Sequence, residues 1–138
     1  MVPRALRICF LAESLFHILC AVPLMLFPNG VLGMCGWTTV DPIATRLVGA
    51  ALFGIAGASL LSSRTSLATF RALLRLKILW TGSAVFSVVL SIDQGAPASA
   101  WLLLLIVAGL GAMWTYWLQR LMALSAYGIA GLPTRTYI

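Results

Sequence analysis

Charge is what this chain has least of. Lys, Arg, Asp and Glu together make up 9% of its 138 residues, and the acidic ones number three: Glu13, Asp41 and Asp93. A soluble domain keeps about 25% charged residues to hold its surface in water, so a water-facing globule is excluded. Histidine occurs once, at His17, which removes the paired histidines of a zinc-protease helix or a bis-histidyl haem site. No Gly-x-Gly-x-x-Gly fingerprint and no phosphate-binding loop is present. Cysteine is sparse and odd in number (Cys9, Cys20 and Cys35), so there is no disulfide framework to read. Period-two alternation is missing, which disfavours a barrel. No internal repeat suggests an inverted-repeat transporter.

What remains is hydrophobic. Apolar residues make up 62% of the chain, and they gather into four runs that could each cross a hydrocarbon core about 30 Å thick. The first covers Ile8 to Phe27 and stops at Pro28-Asn29-Gly30. It begins like a signal peptide, with Arg4 and Arg7 ahead of an apolar stretch. Glu13 and His17 interrupt the region that a signal peptide keeps apolar, so the run is expected to stay as a span. The others cover about Ile43 to Ser63, Leu73 to Ile92 and Ala98 to Gln119. Between the first two, residues 28–42 carry Gly30, Gly33 and Gly36 as turn chemistry. They are apolar enough to lie at the membrane interface. A loosely ordered tail is expected over 120–138. The expected fold is an all-α, four-transmembrane-helix bundle in one domain spanning residues 1–138.

The basic residues orient that bundle. Eight of the nine (Arg4, Arg7, Arg64, Arg71, Arg75, Lys77, Arg120 and Arg135) fall on one side of a four-span arrangement, and Arg46 falls on the other. Positive residues in short connectors stay cytoplasmic, so both termini are expected there. Trp114, Tyr116 and Trp117 suit the inner interface; Trp37 and Trp101 suit the outer one. The net charge of +6 does not imply nucleic acid, because no soluble module carries a binding face. Membrane lipids are the expected partners.

Spans associate by close backbone approach and interhelical hydrogen bonds. Ala50, Gly54, Ala58 and Ser62 form a small-residue ridge on the second span. Ser83, Ser87 and Ser91 form a polar stripe on the third. Both are read as helix-packing surfaces, with a small cavity or pore as the alternative for the serines. Contact with a membrane partner protein, or with further copies of the chain, would use the same ridges.

Glu13 and His17 are the ionisable pair deepest in a span, and four residues apart they share a helix face. At a rise of about 1.5 Å per residue, Glu13 lies roughly 8 Å inside the hydrocarbon. Lys77 falls at a similar depth, so Glu13 is expected to pair with Lys77 or Arg75. Three roles compete. Glu13 and His17 are structural, or they are a general acid and base acting on a lipophilic substrate, or they bind a metal with Cys9 and Cys20. One helix presents too few of these ligands together for a metal site, so neither metal nor cofactor is expected.

Leu26-Phe27-Pro28, Leu32-Gly33, Asp41-Pro42 and Arg46-Leu47-Val48-Gly49-Ala50 together resemble the DoxX-like group of small four-helix membrane families. The resemblance covers the first two spans and implies the fold; those families share no agreed activity. In size and span count the chain is also similar to small fungal anthrone oxygenases, without a shared residue motif. The expected function is to handle or accompany a lipophilic small molecule as an accessory or scaffold subunit. The alternative is a membrane-embedded isomerase, cyclase or cofactor-free oxygenase using Glu13 and His17 on a polyketide or terpenoid intermediate.

Overall fold

The computed structural model describes residues 3–62 and 66–130, with side chains as far as 123. Among these, five helices follow one another: α1 (Arg4–Leu26), α2 (Pro28–Met34), α3 (Pro42–Leu61), α4 (Leu67–Asp93) and α5 (Ser99–Ala130). All but α2 are long and apolar enough to cross a membrane, which makes the chain an integral membrane protein by length and composition.

Local chemistry sets the helix ends. Pro28 opens α2 at a position where a missing N–H costs nothing. Before it, Phe27 leaves helical geometry and ends α1. The Asp41 carboxylate caps α3, accepting from the amides of Ile43 (2.8 Å) and Ala44 (3.2 Å), with Pro42 next in the chain. Ser66 caps α4 by accepting from the Thr69 amide. Gly36 after α2 and Gly95 after α4 have φ of 89° and 87°, a left-handed conformation that only glycine adopts without strain.

Three of the four long helices, α1, α4 and α5, are longer than the apolar runs suggest. Residues 28–34 are a helical turn and more, where a loop was expected. α1 starts at Arg4, α4 starts at Leu67, and α5 continues to Ala130 through part of the expected loose tail. Amphipathic ends such as 67–72 contribute little hydropathy, yet backbone groups near lipid still favour the helical state. Residues 131–138, and Arg64 and Arg135 of the basic set, lie outside the described residues.

α1 packs along α3, and α4 packs along α5. Both pairs are antiparallel: Arg46 Nε, near the start of α3, donates to the Met25 carbonyl at the end of α1 (3.2 Å). Arg71, early in α4, reaches the Leu121 carbonyl in α5 (3.4 Å). The two pairs meet at both ends of the bundle. At the end where α1 begins, Leu6, Phe10, Phe70, Leu74, Trp114, Trp117 and Leu121 form one buried cluster. At the far end, Ser99 Oγ donates to the Cys35 carbonyl, and Gly36 lies against Pro97.

Within the bundle, α3 packs by a face other than the small-residue ridge. Its buried residues are Thr45, Gly49, Leu52, Ala56 and Ser59, a three-four spacing turned toward α1. Ala50 and Gly54 are exposed, and a Cβ added at Gly54 would meet nothing within 4 Å. Ala58 and Ser62 are only half-buried. Gly49 carries the close approach: its Cβ would stand 2.7 Å from Met25 Cγ and 3.0 Å from the Ala21 carbonyl oxygen. The same holds to a lesser degree for Gly111, whose Cβ would lie 3.0 Å from Thr81 Oγ1. Trp114 and Trp117 are buried among the helices, while Tyr116 and Trp101 are exposed.

Candidate functional site: a buried carboxylate–ammonium–imidazole cluster

Two turns of α1 set Phe10, Glu13, Ser14 and His17 toward the interior, and all four are buried. Opposite them, Phe70, Leu74, Lys77 and Thr81 of α4 are buried on one face. The repeat of three and four along two parallel helices brings Phe10 onto Phe70, Glu13 onto Lys77 and His17 onto Trp80.

Lys77 is 2% exposed and Glu13 is 5% exposed, so little of either charge is shared with solvent or lipid. The ammonium Nζ donates to both carboxylate oxygens, at 2.7 Å to Oε1 and 2.6 Å to Oε2. It also stands 5.1 Å from the Phe10 ring centroid and 5.0 Å from that of Trp114. An ammonium over aromatic faces gains electrostatically from the ring quadrupole, more so when desolvated. Those contacts and the paired carboxylate offset the cost of taking the charge out of water. Arg75, the other partner offered by spacing, is exposed on a different face of α4.

His17 is held differently. Its Nδ1 lies 2.9 Å from Glu13 Oε1, within ion-pair distance if the ring is protonated, with no hydrogen bond formed between them. The ring is fixed instead by Trp80, edge-on at 5.8 Å and 73°. Two hydroxyls complete the surroundings without joining the cluster. Ser14 Oγ donates to the Phe10 carbonyl (2.7 Å), and Thr81 Oγ1 donates to the Lys77 carbonyl (2.8 Å).

The serine stripe behaves in the same self-contained way. Ser83, Ser87 and Ser91 each donate to the carbonyl one turn back, at 2.9 to 3.0 Å. A hydroxyl so satisfied tolerates lipid without an unpaired donor. Ser83 and Ser87 are exposed and line a shallow groove of about 530 Å³ whose walls all belong to α4. That groove is on the outside of α4 and is no interhelical pore lining.

A second cleft of about 400 Å³ lies at the far end among Trp37, Thr38, Thr39, Ser91, Gln94 and the turn at Gly95. Neither cleft is lined by Glu13, His17 or Lys77. Cys9 and Cys20 are half-buried on α1. Among the described residues no group of three potential metal ligands comes together.

Sequence reasoning missed the aromatic shell. Phe10 precedes Glu13 by three residues and was legible as a neighbour on the same face; Trp80 follows Lys77 at the same spacing. Trp114 comes from α5, and no local signal linked it to α1. The chain matches no protein-family model, no curated protein and no solved structure.

Proposed function

We propose that this chain is an accessory or scaffold subunit of the membrane, accompanying a partner that works on a lipophilic molecule. One observation carries the reading. Glu13 and Lys77 are engaged with one another inside the bundle, and neither cleft is lined by them or by His17. The cluster is then a clasp between the two helix pairs, and the outward face of α3 is a surface open to recognition. Ala50 and Gly54 are exposed there, with room for another helix to approach closely.

Gly54→Leu tests this. The isolated protein should keep wild-type thermal stability in detergent, because a Cβ there meets nothing within 4 Å and Gly54 is exposed. In native membranes the same variant should lose its high-mass species on native gels and its crosslinks through a cysteine at Leu47, on the exposed part of the same helix. Unchanged assembly would leave α3 facing lipid and remove the scaffold reading.

Both termini lie on the cytoplasmic side in this reading, supported by the arginines that gather at the end of the bundle where α1 begins. Single cysteines at Ser66 and Gln94, in a background without the native three, should label from opposite sides of sealed vesicles. Labelling of both from one side would contradict the four-span topology.

The unsatisfied Nδ1 of His17 favours a second reading, a membrane enzyme in which His17 moves a proton on a lipophilic substrate. The two differ at His17→Ala. A structural histidine should cost stability through its lost packing against Trp80 and leave the lipid extract of expressing cells unchanged. A catalytic one should abolish a lipophilic product at unaltered expression, with rate losses of roughly 10²–10⁴.

A further inference from the structure

The charge of this protein is divided between the two ends of the bundle. Arg4, Arg7, Arg75 and Arg120 are exposed near the end where α1 begins, and none of them reaches a carboxylate among the described residues. Arg120 is held outward in a defined pose. Its Nη1 donates to the Tyr116 hydroxyl (3.1 Å), and its guanidinium stands 5.6 Å from the Trp117 ring centroid. The acidic residues offer this end nothing. Glu13 is buried and taken by Lys77, and Asp41 and Asp93 lie at the far end, Asp41 with its carboxylate on the backbone of α3.

These arginines project from three helices, in or close to the turns that enter or leave the apolar spans. In a four-span arrangement, basic residues flanking the spans sit near the lipid headgroups. A guanidinium presents a planar fork of donors that matches phosphate oxygens. Several small, mobile anions fit such a distributed set better than one rigid acidic surface.

We propose that this end of the bundle is a binding surface for anionic phospholipids, through Arg4, Arg7, Arg75 and Arg120. The inference is independent of the scaffold reading, since it concerns the headgroup zone and not the face of α3. Each arginine contributes roughly fivefold in retention of an anionic over a zwitterionic lipid.

The test uses the full chain in nanodiscs of phosphatidylcholine with and without phosphatidylglycerol. Lipid retained on the protein is quantified by mass spectrometry after mild delipidation. Phosphatidylglycerol should be enriched over its share of the bilayer at low salt. At about 1 M salt, where the Debye length is about 3 Å, the enrichment should fall toward none. Inorganic phosphate added to phosphatidylcholine discs should not raise thermal stability, whereas phosphatidylglycerol should. Arg4→Gln/Arg7→Gln/Arg75→Gln should lose most of the enrichment, and the corresponding three lysine substitutions should keep it. If the glutamine variant does not fold, the wild-type salt series decides alone. Retention of the two lipids in their bulk ratio at low salt would overturn the proposal, and so would enrichment unchanged in a folded glutamine variant.

Discussion

Lys77→Met is expected to lower stability by about 3–5 kcal/mol, the usual cost of removing one partner from a buried ion pair. The variant keeps a side chain of similar length and leaves the Glu13 carboxylate 5% exposed without the ammonium that bonds both its oxygens. Phe10 and Trp114 lose their cation contact at the same time. Glu13→Gln should cost a comparable amount by stranding the ammonium, less whatever its amide oxygen recovers as an acceptor. Arg75→Gln is the matched control, two residues away on an exposed face, and should stay within about 0.5 kcal/mol of wild type. Denaturant titration in mixed micelles, followed by Trp fluorescence, reads all three. A Lys77→Met protein as stable as Arg75→Gln would mean that the pair contributes nothing to holding the bundle.

Gly49→Leu is expected to separate α1 from α3. A Cβ at that position would stand 3.0 Å from the Ala21 carbonyl oxygen and 3.3 Å from the Met25 backbone nitrogen. Met25 Cγ, 2.7 Å away, belongs to a flexible side chain and can turn aside; the α1 backbone cannot move without shifting the helix. Overfilling a packed site costs about 1–3 kcal/mol and occasionally more. Gly49→Ala should fall within that range and Gly49→Leu at or beyond its top. The contrast with Gly54→Leu, five residues on and facing open space, makes the result specific to one face of one helix. Limited proteolysis and thermal unfolding in detergent should rank them wild type, Gly54→Leu, Gly49→Ala, Gly49→Leu. Equal stability of the two leucine variants would place the α1–α3 contact elsewhere.

The spans were legible because lipid demands continuous apolar runs, and that demand leaves its mark residue by residue. The face of each span was harder to read. In a water-soluble helix, polar residues mark the outside, but α3 is apolar or small all round, so Ala50–Gly54–Ala58 and Thr45–Gly49–Leu52–Ala56 look equally fit for packing. Only contact with Ala21 and Met25 separates them. The serines of α4 misled for a related reason. A hydroxyl that bonds its own helix is indifferent to its surroundings, so Ser83 and Ser87 carry no information about a neighbour. Glu13 and Lys77 were the opposite case, because each costs too much in hydrocarbon to be left alone and depth along the spans offered few partners. The aromatic faces around Lys77 were illegible because Trp114 arrives from a distant helix.

The central claim is that Glu13 and Lys77 act as one clasp between the α1–α3 and α4–α5 pairs, and a double-mutant cycle measures it. Glu13→Gln and Lys77→Met are made singly and together, and unfolding free energies are determined in the same mixed micelles. The account predicts that the double variant is more stable than the Lys77→Met single variant, because no uncompensated charge is left inside. Losses that simply add, with the double variant the least stable of the four proteins, would contradict it.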